Sequence, residues 1–346
     1  MTDIRNYFSP VGAAKPPPGP ALLAREQVTV DTNAPQPNNP VSLSHSRQNP
    51  NTDPPIDDEF CQGQIFLPGV VTINARSIHT AEKGKEDSAR QGKIRSLLQH
   101  LYSRFDHILI QETKAISNYD VVTLLHDWLP GSHVLSCCSS SHKRAAGVAI
   151  VSRADVSDLF ECEVIQGTQT NSMDGKLISA YWTPKKATSK GKRLMPYRVT
   201  SIYLTSEGSP SAKKTDIGNV SRILADGPHD YSAPHILGGD LNFTEDPQDR
   251  FPNPKPLSPT VADAWDALTE ELSLEEVYQP VHTFYRGNGS GVLTSARLDR
   301  FYLYLPPGLE VLCRASATVV LSAPTRPRLC CHILRESDSS TPNRRS

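Results

Sequence analysis

The most informative stretch for predicting the fold is His235-Ile236-Leu237-Gly238-Gly239-Asp240-Leu241-Asn242. Its apolar start predicts a buried strand, and the strand ends in two glycines, a carboxylate and a carboxamide. Ligands collect at such strand ends in α/β sheets, because the strand positions a side chain and the loop admits a substrate. The two glycines before Asp240 allow another part of the backbone to approach closely.

Polar side chains follow other predicted strands in the same way. Asn74 follows the short β-branched run 70–73, Gln111-Glu112 follow 106–110, and Asp299 lies within a strand over 297–305. A cleft with two acids and two carboxamides suits phosphodiester chemistry. One carboxylate holds Mg²⁺, a second orients or deprotonates water, and an Asn donates to phosphate oxygen without repelling it.

The remaining pattern predicts strands mixed with helices, and therefore an α/β (α+β) domain with mixed sheets. Apolar residues at helical spacing predict helices, and short apolar runs predict strands. The further predicted helices are 91–105, 121–129, 216–224 and 262–272; the further strands are 147–151, 177–182, 197–204 (a hairpin with the preceding strand) and 319–321.

Composition divides the chain into three parts. Residues 1–60 are rich in proline and small polar residues, and we expect them to be disordered. The globular domain is expected over 61–322, and 323–346 form an Arg-rich tail without a strand pattern, also expected to be disordered.

The net charge of −1 does not by itself indicate a nucleic-acid partner. No run approaches the ~18 apolar residues that a membrane span needs. The start of the chain lacks the apolar core of a signal peptide. The seven cysteines are an odd number without a CxxC pair, and we interpret them as free thiols. We expect an intracellular protein, with the nucleus as the candidate compartment, and a monomer.

The set of motifs resembles the endonuclease/exonuclease/phosphatase family, the group of DNase I and the apurinic/apyrimidinic endonucleases. The resemblance covers about residues 68–322 and implies a DNase I-like four-layer sandwich, in which two packed mixed β-sheets are flanked by helices. The motifs that carry it, in the family's order, are Thr72-Ile73-Asn74, Ile110-Gln111-Glu112-Thr113, Gly147-Val148-Ala149-Ile150, Ser201-Ile202-Tyr203, Gly239-Asp240-Leu241-Asn242 and Ser295-Ala296-Arg297-Leu298-Asp299-Arg300.

The resemblance also implies roles for single residues. Glu112 is the principal Mg²⁺ ligand, with Asn74 beside it, and Mn²⁺ is the alternative ion. Asp240 positions or activates the attacking water, and Asn242 holds the scissile phosphate.

The resemblance implies roles for two more residues, Tyr203 and Asp299, around the groups named above. Tyr203 reaches the phosphate or the leaving group, and the alternative for Tyr203 is an aromatic packed in the core. Asp299 lies one layer behind the groups that touch the substrate.

A finer resemblance is to the endonuclease domain of non-LTR retrotransposons. It is carried by Gly238–Phe243 with Asp246-Pro247 and Asp249-Arg250, and by Ser295–Tyr302. Those domains nick target DNA, and the exposed 3′-hydroxyl primes reverse transcription. The resemblance therefore favours a DNA-nicking endonuclease. The alternatives are a phosphatase or small-molecule phosphodiesterase on the same fold, and a catalytically dead retroelement remnant.

The family's last motif, Ser-Asp-His-x-Pro, is missing. The strand that precedes this motif is present as Val319-Val320-Leu321-Ser322. The next residues are Ala323-Pro324-Thr325-Arg326-Pro327, which contain no Asp-His. A frameshift or truncation after Ser322 is our hypothesis for this loss. We expect the domain to lack its last strand. Activity is expected to be weak or absent, because losing a group aimed at the transition state costs ~10²–10⁴ in rate.

Two segments suggest partners. The tip between the hairpin strands carries basic residues and no acid, which suits contact with a DNA backbone; the alternative is a solvated tip. Its basic residues are Lys185, Lys186, Lys190, Lys192 and Arg193. At the N-terminus, Ile4, Tyr7 and Phe8 resemble a peptide that binds the sliding clamp, and chance occurrence is the alternative.

Overall fold

A computed structural model of the chain describes residues 67–78, 85–115, 117–139, 146–165, 173–185, 194–206, 208–226, 232–279, 281–287, 293–307, 309, 315–322 and 328–335. For 85–88, 226, 287, 293, 315–322 and 328–335 it describes the backbone alone. The predicted N-terminal segment 1–60, with Ile4, Tyr7 and Phe8, lies outside these ranges.

The described part contains fifteen strands and five α-helices. The strands are β1 (Val70–Asn74), β2 (His107–Gln111), β3 (His133–Cys137), β4 (Val148–Ser152), β5 (Phe160–Val164), β6 (Leu177–Pro184), β7 (Tyr197–Tyr203), β8 (His235–Asp240), β9 (Arg250–Phe251), β10 (Glu275–Glu276), β11 (Phe284–Gly287), β12 (Leu293–Ala296), β13 (Asp299–Tyr304), β14 (Ala315–Ser322) and β15 (Arg328–Arg335). The helices are α1 (Lys85–Tyr102), α2 (Asn118–Trp128), α3 (Ala154–Leu159), α4 (Pro210–Asp226) and α5 (Pro259–Glu271).

The strands form two six-stranded sheets and one small sheet. The first sheet has the order β14-β15-β1-β2-β4-β3, the second β10-β13-β8-β7-β6-β5, and the small one β11-β12-β9. β1 and β2 pair in parallel, as do β7 and β8, while the remaining pairs are antiparallel. Both large sheets are therefore mixed, as the sequence predicts, and the predicted hairpin of β6 with β7 is confirmed.

Three buried clusters separate four layers. One lies between the two large sheets, where Leu109 and Ile150 of the first meet Val199 and Phe301 of the second. Gly238 belongs to this contact: a Cβ there would lie 2.3 Å from Phe301 Cε1 and 2.9 Å from Leu109 Cδ1.

The other two clusters cover the outer faces of the sheets. One joins the first sheet to α1 and α2, and the other joins the second sheet to α4 and α5. The predicted four-layer sandwich is confirmed.

A capping side chain and the helical spacing of apolar residues explain where two of the helices form. The Ser117 side chain caps α2 by accepting from the Asp120 backbone N–H at 3.2 Å. On α5, Val261, Trp265 and Leu268 share one buried face, and Trp265 Nε1 donates to the Tyr302 hydroxyl at 3.1 Å. None of the helices in the described ranges is long and apolar enough to cross a membrane.

The chain after Ser322 differs from the prediction. β15 lies between β1 and β14 and pairs antiparallel with both, so the expectation of a strandless tail is wrong for 328–335. The run Leu329–Leu334 is apolar and short, and such a run carries no alternation to distinguish a strand from its Arg-rich surroundings. Its partner explains the strand, because the buried β1 needs hydrogen bonds on both edges.

Candidate active site

Three of the predicted site residues meet where the two large sheets end. Asn74 closes β1 in the first sheet, Glu112 follows β2 beside it, and Asp240 closes β8 in the second sheet. Asn74 Nδ2 donates to Glu112 Oε1 at 2.8 Å and to Asp240 Oδ2 at 2.7 Å. One carboxamide thus links two carboxylates that are distant in sequence.

Glu112 stays ionised because cations and donors surround it. Lys114 Nζ lies 2.7 Å from its Oε2. Burial alone would raise the pKa of Glu112, but hydrogen bonds from Asn74 and Lys114, with the charges of Lys114 and Arg76, outweigh burial and lower this pKa.

Asp240 and Asp299 are directly opposite each other in the β8–β13 pairing, and both are buried. Burial, with a smaller contribution from the charge of Glu112, raises the pKa of Asp240 to about 6. Burial and then the charge of Asp240 raise the pKa of Asp299 well above its ordinary value. Three acids therefore lie close together, and burial favours the neutral form of two of them.

Asn242 is held by its own backbone and by a lysine. Its N–H donates to Asp240 Oδ1 at 2.9 Å, and its side-chain Nδ2 donates to the Leu204 carbonyl at 2.7 Å. Lys213 Nζ of α4 donates to the Asn242 carbonyl at 2.9 Å. The backbone of Asn242 thus lies beside the Asp240 carboxylate, and its predicted role in holding the phosphate stays a prediction.

Tyr203 is placed beside Asp240 by the parallel pairing of β7 with β8. Its side chain is only 6% exposed and packs in the cluster between the sheets. Both interpretations from the sequence therefore stay open at this residue: a contact with the leaving group, and a core aromatic.

The loops of the site carry unusual backbone. Of the six non-glycine residues with positive φ in the described ranges, five lie next to these side chains. These five are Arg76, Ser77, Glu112, Lys114 and Asn242. Such conformations cost of order 1–3 kcal/mol each and persist where the surroundings hold them, often at functional sites. Two hydrogen bonds fix the two loops to each other: Ser77 N–H to the Glu112 carbonyl at 2.7 Å, and Ile78 N–H to the Thr113 carbonyl at 3.1 Å.

Comparison with known proteins gives matches in structure alone. No family model matches the chain, and no curated protein matches it. An AP endonuclease from Archaeoglobus fulgidus superposes with a TM-score of 0.56 at 20% identity, covering 78% of this chain and 100% of that one. The AP endonuclease of Leishmania major gives 0.58 at 13% identity over 78% and 88% of the two chains.

An endonuclease/exonuclease/phosphatase from Bacteroides vulgatus gives a TM-score of 0.50 at 14% identity, over 78% of this chain and 99% of that one. The chain has the endonuclease/exonuclease/phosphatase fold. At these identities the likeness concerns architecture, and the chemistry must be argued from the side chains.

Within the endonuclease/exonuclease/phosphatase fold, the donor set suits a hard cation. Glu112 and Asp240 offer carboxylate oxygens, which are ligands that Mg²⁺ prefers. Asn74 turns its NH₂ group toward both carboxylates, and its Oδ1 accepts from the Arg76 backbone N–H at 3.0 Å, so ligation by Asn74 requires its carboxamide to turn over. The raised pKa values of the buried Asp240 and Asp299 come first from burial, so a bound cation would favour their charged forms. Across the described ranges no three His, Cys, Asp or Glu side chains form a ready metal cage.

Three cations at the site were missed from the sequence: Lys114, Arg76 and Lys213. Lys114 lies two positions after Glu112, but both residues adopt a left-handed backbone beyond the end of β2, so strand alternation does not explain their contact. Arg76 depends on a left-handed backbone, and Lys213 depends on how α4 packs. Neither feature has a local signature.

The predicted basic hairpin tip is represented by Lys185 alone. Lys185 Nζ donates to the Ser157 carbonyl of α3 at 2.6 Å, which is a structural contact. The other four basic residues, Lys186, Lys190, Lys192 and Arg193, lie outside the described ranges, as do residues 323–327, where the Asp-His motif is missing.

Proposed function

We propose that the chain is a metal-dependent phosphodiesterase that nicks DNA, with turnover weakened by the missing Asp-His. One observation carries the proposal: the Asn74 carboxamide joins Glu112 and Asp240 at 2.8 and 2.7 Å, across the two sheets. This is the convergence that the chemistry requires.

Glu112 and Asn74 are the residues that would hold Mg²⁺, with Mn²⁺ as the alternative ion. When bound, the ion neutralises charge that develops on the phosphate oxygens. The lowered pKa of Glu112 keeps this ligand anionic at neutral pH.

Asp240 is the proposed base. With a pKa of about 6 it is mostly ionised at pH 7 and still basic enough to accept a proton from water. The water oxygen bonds to phosphorus, and the bond from phosphorus to the 3′-oxygen breaks. The 3′-oxygen takes a proton from solvent and leaves as a hydroxyl. Asn242, fixed beside Asp240, holds the phosphate, and Tyr203 and Asp299 support the site.

DNA is the substrate that the retroelement-like motifs favour, and nicking is the corresponding reaction. AP endonucleases among the structural neighbours act on nucleic acid by name, which agrees with this choice. A phosphatase on the same fold is the second candidate. A remnant that only binds DNA is the third, favoured by the missing Asp-His.

The decisive test compares the wild-type chain with Glu112→Gln on supercoiled plasmid in Mg²⁺. The substitution keeps the side-chain shape but removes the ligand charge, so we expect nicking to fall by about 10²-fold or more. Relaxed circles on an agarose gel, counted over time, give the rate.

Glu270→Gln, an exposed site on α5, is the matched control and should nick like the wild type. Equal nicking rates for the wild type, Glu112→Gln and Glu270→Gln would contradict the proposal. Abasic DNA and inositol phosphates, tested beside the plasmid, separate the phosphatase from the nuclease. A wild-type chain that binds DNA but cuts none of these substrates identifies the remnant.

A further inference from the structure

The small sheet presents one face with an unusual set of side chains. In its register Phe284 of β11 and Arg250 of β9 flank the same residue, Ala296 of β12. Arg286 pairs with Thr294 two positions along. Because side chains alternate between the faces of a strand, Phe284, Arg286 and Arg250 share one face.

Arg76 joins this face from the active-site loop. Its guanidinium lies 5.5 Å from the centre of the Phe284 ring, within cation–π range. Its N–H donates to Asn74 Oδ1 at 3.0 Å, and its carbonyl accepts from Arg90. The backbone of Arg76 is thus fixed beside Asn74, while its charge acts on Glu112 and Asp299.

The opposite edge of the face also adjoins the site. A hollow of about 320 Å³ opens there, lined by Arg250, Lys255 and Thr294 among others. Arg250 acts electrostatically on Lys213, which holds the Asn242 carbonyl. The face therefore has cations at both edges: Arg76 lies beside Asn74 at one edge, and Arg250 and Lys255 line the hollow at the other.

These cations differ from the other arginines of the region. In the part of the chain that the structure describes, no hydrogen bond or ion pair is made by the side chains of Arg76, Arg250, Lys255 and Arg286. By contrast, Arg297 and Arg300 are buried, and both are paired with Asp249. The two buried arginines thus form ion pairs with acids, whereas the four cations form none, and Arg76 acts on Glu112 and Asp299 without an ion pair.

We propose that this basic face, formed by Arg76, Arg250, Lys255 and Arg286, binds the phosphate backbone of the DNA strand that is cut. The proposal rests on the proposed function and adds the path of the strand. Unpaired cations in a row beside the carboxylates match the charge of successive phosphates, and each contact releases a counterion. Arg76, at the carboxylate end, contacts the phosphate nearest the reaction.

The test is the salt dependence of binding, measured by fluorescence anisotropy of a labelled duplex oligonucleotide in EDTA, where nothing is cut. Each phosphate contact contributes about 0.9 to the slope of log K against log salt. We expect Arg286→Met, Arg250→Met and Arg76→Met each to reduce that slope by about 0.9. Arg286→Lys keeps the charge and should keep the slope.

Arg222→Met is the matched control. It removes the same charge from an exposed position on α4, nine residues or about 13 Å beyond Lys213 along the helix, and should leave the slope unchanged. Slopes of the three face variants equal to that of Arg222→Met would overturn the proposal, as would a wild-type chain that does not bind the duplex.

The two proposals fail separately. If the chain cuts no substrate but the face variants reduce the salt slope of binding, the basic-face proposal stands and the hydrolase proposal fails. If the chain nicks DNA but the face variants do not change the salt slope of binding, the hydrolase proposal stands and the basic-face proposal fails. Arg286 is exposed and its side chain makes no hydrogen bond or ion pair in the described part of the chain, so Arg286→Met should fold.

Discussion

The side chains of the site bring three carboxyl groups together, and two of these groups, on Asp240 and Asp299, are buried. Asp240 and Asp299 are paired across two strands, and Glu112 is joined to Asp240 through one carboxamide. Asn74 is suited to this position because its NH₂ group can donate to both carboxylates without adding charge. Ionising the buried carboxyl groups without a bound cation should cost stability.

Asp299 gives the clearest measure of that cost. Its pKa in the folded chain lies well above the ordinary value of 3.8, because of burial first and then the charge of Asp240. Below pH 3.8 the carboxyl is protonated in both the folded and the unfolded chain. As pH rises, the unfolded chain ionises first, so stability falls until the folded pKa is passed.

We therefore expect Asp299→Asn to raise the free energy of unfolding at pH 8 by at least about 1 kcal/mol, and to leave it nearly unchanged at pH 4. Urea titrations at both pH values, in metal-free buffer, measure the two differences. Asp263→Asn, exposed on α5, is the control and should show no such pH dependence. A smaller free energy for Asp299→Asn at pH 8 would contradict the raised pKa.

At the scale of elements, the strands that carry the site could be predicted because they are short apolar runs that end in polar residues. β1, β2 and β8 have this form, and Asn74, Glu112 and Asp240 follow from it. The outer helices could be predicted as well, because α2 and α5 bury residues at helical spacing. The predicted start of α1 was late: the helix begins at Lys85 instead of residue 91.

Elements without a local signal were missed. β9 and β10 have two residues each, and β11 and β12 have four, which is too short for an alternation to appear. β15 is defined by its partners on both sides, which lie far away in sequence. The basic face depends on the small sheet, so it could not be found before the pairing of β9 with β12 was known.

The turn before β9 connects the small sheet to the core through one acid. Asp249 ends a 3₁₀ turn (Pro247–Asp249) and accepts two hydrogen bonds from Arg297, from Nε at 2.8 Å and from Nη2 at 2.9 Å. It also accepts from Arg300 Nη2 at 3.0 Å. All three side chains are buried. Arg297 also pairs with Glu276, and Arg300 also pairs with Glu245, so each arginine keeps one acid when Asp249 is neutralised.

Asp249→Asn weakens three buried charge-assisted hydrogen bonds but leaves each arginine one acid, so it should lower the free energy of unfolding by about 1–3 kcal/mol. Urea unfolding followed by tryptophan fluorescence provides the measurement, since Trp265 packs against Tyr302 in the same region. Asp266→Asn, exposed on α5, should change the free energy by less than about 0.5 kcal/mol. Equal stability of both variants would show that Asp249 does not hold the two arginines.

For the molecule as a whole, β15 closes the first sheet. It pairs at four positions with β1 and at eight with β14. Without it, the buried edge of β1 would leave backbone N–H and C=O groups without partners, at about 1–3 kcal/mol for each group. A few such losses equal the whole stability of an ordinary domain, about 5–15 kcal/mol. A strand in this position also weakens the hypothesis of a truncation after Ser322, because the sheet continues beyond that residue.

A chain truncated after Ser322 should therefore fail to fold cooperatively, whereas a chain truncated after Arg335 should unfold like the full-length protein. Differential scanning calorimetry and size-exclusion chromatography on the three chains compare their transitions and their solubility. Because β1 also carries Asn74, the shorter chain should lose duplex binding at the same time, as the loop that holds Arg76 is then released from β1. A cooperative transition for the Ser322 chain, at the temperature of the full-length protein, would mean that β1 needs no partner on that edge and that the sheet closes without β15.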